Sequence, residues 1–113
     1  MQVTEPHIYW KNNISLTEEK IKEFCQSWQI QELYLFGSVL RSDFTPNSDI
    51  DIMVTFNQNA HCGLWDFVQI KNDLSVLFGR KIDLMTKKSI EESYNWIRRQ
   101  EILNTAILIY EQR

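Results

Sequence analysis

Apolar positions recur along the chain at two spacings, and the changes from one to the other mark out its elements. Ile21, Phe24, Cys25 and Trp28 fall three, one and three residues apart, which is the spacing of one helix face. Thr17 can cap such a helix, and Glu18 and Glu19 suit the positive end of its dipole, so a helix is predicted over about 17–29. Leu33-Tyr34-Leu35-Phe36 is a short apolar run stopped by Gly37, as expected of a strand buried on both faces. Ser38 to Arg41 is expected to make one helical turn. Phe44-Thr45-Pro46-Asn47-Ser48 has loop chemistry, with Pro46 barring regular structure.

From Asp49 to Phe56 the spacing changes to two: Asp49 and Asp51 alternate with Ile50 and Ile52, which predicts a strand. A second helix follows, with Leu64, Phe67, Val68, Ile70, Leu74, Leu77 and Phe78 on a broad apolar face and Gly79 where a C-terminal cap is wanted. Lys81 to Met85 reads as a third strand suited to the centre of a sheet, with Asp83 facing opposite to Ile82 and Leu84. Ser89 to Leu103 is expected to be helical, and Ala106 to Tyr110 either extends that helix or forms an edge strand. This order predicts an α/β (α+β) fold, a small mixed β-sheet with helices packed on it. Residues 1–113 are expected to form one domain, with 1–13 as an N-terminal extension.

Composition narrows the class. The 43% apolar content with only three Gly and two Pro describes a folded globular chain, and no internal repeat is present. Met1 to Asn13 has no basic start leading into an apolar stretch, and no run approaches the length of a membrane span, so a cytoplasmic location without membrane association is expected. A net charge of −3 argues against direct nucleic-acid binding, whose affinity comes from clustered Lys and Arg. Cys25 and Cys62 lack the spacing of a zinc site and are expected as buried thiols.

The candidate chemistry lies in the carboxylates. Asp49 and Asp51, two apart on a strand, leave the same face with Cα atoms roughly 6–7 Å apart. Such a pair suits Mg²⁺, which takes hard oxygen ligands and keeps positions open for phosphate and water. Asp83 is the natural third acid, because an unpaired carboxylate inside an otherwise apolar strand would be costly to bury. Two ions about 3.5–4 Å apart on such carboxylates support in-line displacement at phosphorus. The plainer alternative is that Asp49 begins a strand after a turn, Asp51 is an exposed alternating position and Asp83 is a solvated edge residue, and a two-residue motif alone does not separate the two. Asp43 falls in the loop before Pro46, where no strand aims it.

Gly37 and Ser38 follow the first strand directly, so backbone N–H groups and a hydroxyl can meet a phosphate there; equally, Gly ends strands and Ser caps helices in proteins with no nucleotide. The combination is more specific: Gly37-Ser38, ten intervening residues, Asp49-x-Asp51, then Asp83 about thirty residues on. With this arrangement the chain resembles the DNA polymerase β-like nucleotidyltransferase superfamily. It is most similar to the minimal nucleotidyltransferases, through Gly37-Ser38, Arg41, Pro46, Ser48 to Val54, Ile82-Asp83-Leu84 and the closing Ile109-Tyr110-Glu111. Ser42 stands where Gly is common in that family and Asn47 where Asp is common, departures that touch loop shape and no acid.

The resemblance implies a palm-like sheet, with Asp49, Asp51 and Asp83 as catalytic and metal-binding acids holding two Mg²⁺. It assigns Gly37, Ser38, Arg41 and Ser48 to the nucleotide, with ATP as co-substrate. It also implies a partner, since the minimal family pairs with small helical HEPN ribonuclease toxins in toxin–antitoxin modules and transfers AMP from ATP to a toxin tyrosine. Trp10, Trp65, Tyr94 and Trp96 are candidates for the partner surface, although most are expected to pack in the core. Two other outcomes fit the sequence: an antitoxin that works by occlusion alone, and a nucleotidyltransferase acting on a small molecule.

Overall fold

The computed structural model describes residues 16–41, 44–45 and 47–112. The N-terminal extension 1–13, with His7 and Trp10, and Ser42, Asp43 and Pro46 lie outside the described residues. Helix α1 (Glu18–Ser27) opens with the Thr17 hydroxyl accepting from the Lys20 N–H at 3.2 Å, as its sequence predicts. Strand β1 (Ile30–Phe36) leads into a 3₁₀ turn (Gly37–Leu40), and strand β2 (Ile50–Phe56) follows the loop. Helix α2 (Leu64–Phe78) closes on Gly79 in the left-handed conformation, φ +67°. Strand β3 (Ile82–Thr86), the short helix α3 (Lys87–Glu91), helix α4 (Trp96–Thr105) and strand β4 (Ile107–Glu111) complete the order.

The four strands form one mixed sheet in the order β3-β2-β1-β4. β1 runs antiparallel to both neighbours, and β2 pairs parallel with β3 across the α2 connection. One face, with Leu33, Leu35, Ile50, Ile52, Val54, Ile82 and Leu84, is covered by Ile21 and Cys25 of α1 and Ile70, Leu74 and Phe78 of α2. Burial pushes the Cys25 thiol up to about 12, an inert packing role, while Cys62 is half-buried and both are free. The other face carries a smaller cluster, in which Phe36 and Met53 meet Ile90 of α3 and Ile102 of α4.

Two expectations change, and one left open is settled. The stretch from Ser89 to Leu103 is two helices, because local side-chain bonds interrupt the backbone ladder between them: Ser93 Oγ accepts from the Asn95 N–H at 3.2 Å, and Asn95 Oδ1 caps α4 through the Arg98 N–H at 3.1 Å. The last apolar run is the edge strand β4. β3, expected at the centre, is the other edge, so Asp83 is exposed and the cost of burying it no longer singles it out.

Candidate functional site

Sheet register brings two of the acids together. Asp51 of β2 is the parallel-register partner of Asp83 of β3 and the antiparallel partner of Phe36, the last residue of β1. Met53 pairs with Met85 and Tyr34 one step along, so the acids share a sheet face with the smaller apolar cluster. Asp49 precedes β2 by one residue and is exposed. The start of β2 is tied down by the Ile50 N–H, which donates to the Lys81 carbonyl at 3.0 Å.

The loop that delivers Asp49 is braced from within and from outside. Ser48 Oγ accepts from the Thr45 N–H at 3.0 Å and lies 3.0 Å from the Thr45 hydroxyl. The Arg80 guanidinium donates to the carbonyls of Thr45 at 2.9 Å and Ser48 at 3.4 Å and lies 4.5 Å from the centre of the Phe44 ring. Arg80 follows the Gly79 cap, so the end of α2 aims it at this loop. No sequence motif pointed to Arg80, since its partners are backbone carbonyls more than thirty residues away.

Gly37 meets two demands at once. Its φ is +78°, and a Cβ placed there would run into the Asp51 carboxylate, with Asp51 Cγ only 3.2 Å off. Ser38 is half-buried in the turn, where its carbonyl accepts from the Arg41 N–H at 2.9 Å. Between this turn and α4 opens a cleft of about 410 Å³, lined by Gly37, Leu40, Arg41 and Asp51 on one side and Arg98, Glu101 and Ile102 on the other. Of the sequence-predicted residues, Gly37, Arg41 and Asp51 line the cleft; Ser38, Ser48, Asp49 and Asp83 lie outside its lining. Arg98 and Glu101 are cleft residues that the helical pattern alone did not reveal.

The Asp51 carboxyl is pushed up to about 6, first by partial burial and then by the charges of Asp83 and Asp49, with Arg98 and Arg41 opposing. Asp51 and Asp83 in register, with Asp49 just before β2, offer the hard oxygen donors that suit a divalent cation. Among the described residues, no three such side chains are gathered into a ready-made cage. The set fits Mg²⁺ in donor type and strand register, with the exposed Asp49 and Asp83 side chains left to turn toward the ion.

The model of the nucleotidyltransferase domain matches residues 17–109. The chain belongs to that family. A nucleotidyltransferase relative, the protein adenylyltransferase MntA of Thermococcus cleftensis, is 33% identical over 76 residues, which cover 67% of this chain and 74% of that protein. A candidate protein adenylyltransferase of Methanocaldococcus jannaschii is 30% identical over 95 residues, covering 84% of this chain and 96% of the relative. Among solved structures, a candidate minimal nucleotidyltransferase superposes with a TM-score of 0.61 at 26% identity, covering 80% of this chain and 86% of that one. A chain of a toxin–antitoxin complex crystallised with AMP-PNP gives 0.64 at 21% identity, covering 87% of this chain and 76% of that one, a likeness of fold. The nucleotidyltransferase palm accounts for the mixed sheet and for the placement of Asp51 and Asp83 on adjacent strands.

Proposed function

We propose that this nucleotidyltransferase is a Mg²⁺-dependent protein adenylyltransferase that transfers AMP from ATP to a tyrosine of a HEPN-type toxin, and so acts as a type VII-like antitoxin. The observation that carries the proposal is the register pair Asp51–Asp83, with Asp49 two residues before Asp51 and the Gly37 turn packed against the Asp51 carboxylate. The relatives called protein adenylyltransferases support AMP as the transferred group and protein as the acceptor. The toxin–antitoxin complexes among the similar structures, one holding a tri-AMPylated HEPN toxin of Shewanella oneidensis, support the kind of partner.

In this mechanism Asp49, Asp51 and Asp83 would hold the metal, and Gly37, Ser38, Arg41 and Ser48 would face the nucleotide. Bound Mg²⁺, in two ions, would supply charge neutralisation on the phosphates. The triphosphate would meet the Gly37 turn, where N–H groups and the Ser38 hydroxyl can donate. Asp83, at the open edge of the sheet, takes the proton of the incoming tyrosine hydroxyl. The tyrosine oxygen then bonds to the α-phosphorus, the bond from that phosphorus to the bridging oxygen breaks, and pyrophosphate leaves with the electron pair. Tyr94, Trp96 and Ile97 are exposed where α4 begins, the helix that walls the cleft, and they offer apolar surface to an incoming protein. ATP and such a partner meet in the cytoplasm, where the protein is proposed to act.

The test is to incubate the purified chain with Mg²⁺, ATP and the protein encoded beside it, then map the modification by mass spectrometry. AMP on a partner tyrosine, abolished when that tyrosine is changed to Phe, is the expected result. An unmodified partner that is nonetheless neutralised would replace the enzyme with a binding antitoxin. Modification of small hydroxyl compounds in its place would point to a small-molecule transferase.

A further inference from the structure

Besides Arg41, the cleft has a second cation that lies outside the motif residues. Arg98 lines the same cleft as Gly37, Arg41 and Asp51, but from the α4 wall, facing the turn. Its backbone is fixed: the Arg98 N–H donates to the Asn95 cap, and the Arg99 N–H donates to the Asn95 carbonyl at 2.9 Å. The two arginines then divide. The Arg99 guanidinium is committed to the Ser93 carbonyl at 2.7 Å, where it staples the α3–α4 junction. The Arg98 guanidinium donates no hydrogen bond to any described residue, although Glu101 and Asp51 line the same cleft.

A solvent-exposed arginine beside an acid on its own helix is usually a surface pair worth a few tenths of a kcal/mol. Here that pair is not made, and the charge is spent across the cleft, where Arg98 counters the cluster of like charges around Asp51. A triphosphate brought to three carboxylates meets strong repulsion. Guanidinium groups on both walls, Arg41 on the turn and Arg98 on α4, relieve it without occupying any metal position. A planar guanidinium can also grip two phosphate oxygens at once, which a lysine cannot.

We propose that Arg98 is a phosphate-binding residue of the nucleotide site, gripping the adenylyl phosphate from the α4 wall opposite the Gly37 turn. This rests on the nucleotide reading above and adds to it a residue outside the Gly-Ser and Asp-x-Asp motifs. Arg98 keeps its engaged neighbour as a control: Arg99 serves the junction and Arg98 the ligand.

The test measures binding of a non-hydrolysable ATP analogue with Mg²⁺, together with KM for ATP and kcat for transfer, in four proteins: wild type, Arg98→Lys, Arg98→Ala and Arg99→Ala. Arg98→Ala is expected to weaken analogue binding about 10- to 100-fold, with KM rising in step, as for a lost hydrogen bond to a charged group. Arg98→Lys should recover only part of the loss, and neither variant should shift the melting temperature by more than about 2 °C, because the side chain is exposed. Arg99→Ala should do the reverse, lowering the melting temperature while holding analogue affinity within about threefold. Wild-type affinity in Arg98→Ala would overturn the assignment and leave the nucleotide reading standing. A wild-type protein that binds no nucleotide would instead overturn that reading, and the assignment with it.

Discussion

Gly37 sits where a backbone conformation and a carboxylate make the same demand. Its left-handed φ already disfavours any other residue by about 1–2 kcal/mol, and the Asp51 carboxylate fills the space a Cβ would take. Gly37→Ala is therefore expected to lower stability by about 2 kcal/mol and transfer activity by about 100-fold or more, because the variant can fold only by moving Asp51. Urea unfolding and a transfer assay on one preparation check both numbers. Asp51 itself gives a pH prediction. Its carboxyl titrates near 6 in the metal-free fold, above the ordinary 3.8, so the neutral form favours folding. That contribution is complete below about pH 4 and is lost as pH rises through about 6. Because the group is half-exposed, water and salt screen the effect to about 1 kcal/mol. Asp51→Asn should thus raise the melting temperature of the EDTA-treated protein by a few degrees at pH 7.5 and leave it unchanged at pH 4. Equal gains at both pH values would show that charge is not the cause.

At the scale of elements, α2 links core packing to the site. Its last turn closes on Gly79, the next residue is Arg80, and Arg80 braces the loop that presents Asp49. Nothing lies within 4 Å of a Cβ built on Gly79, so only the left-handed backbone opposes substitution. Gly79→Ala should cost about 1 kcal/mol in denaturant unfolding, and Gly79→Asn less than that, since Asn tolerates this conformation. α1, β1 and α2 were legible in the sequence because each apolar pattern has a boundary signal of its own: Thr17 opens α1, while Gly37 and Gly79 follow the ends of β1 and α2; β2 was legible from its alternation alone. The break between α3 and α4 was not legible, because Ser93 and Asn95 interrupt an apolar spacing that otherwise runs on from Ile90 to Ile102. With that break went Arg98, whose place on the cleft wall depends on where α4 starts.

At the scale of the molecule, the same boundary between local and long-range information recurs. The alternation at Asp49 and Asp51 is local and was readable; that Asp83 stands beside Asp51 follows from a parallel pairing across the α2 connection. Asp83 meets Asp51 through register at a sheet edge and not through burial in a central strand, and it is exposed. Trp65, Tyr94 and Trp96, expected mostly in the core, are exposed, and both apolar clusters are filled without them. The described elements thus present an acidic site at one end of the sheet, a cleft beside it, and apolar surface at the start of the helix that walls the cleft.

The central claim is that Asp51 and Asp83, paired by strand register, act with Asp49 just before β2 to transfer an adenylyl group to a protein. The most direct measurement follows label from ATP, placed at either the α- or the γ-phosphate, onto the neighbouring protein in the presence of Mg²⁺. It compares wild type with Asp49→Asn, Asp51→Asn and Asp83→Asn. The account predicts α-label on the partner, γ-label only in released pyrophosphate, and transfer lowered by about 10³-fold or more in each variant, as expected when binding of a catalytic metal is lost. Transfer of γ-label, or α-label transferred equally well by any one of the three variants, would contradict it.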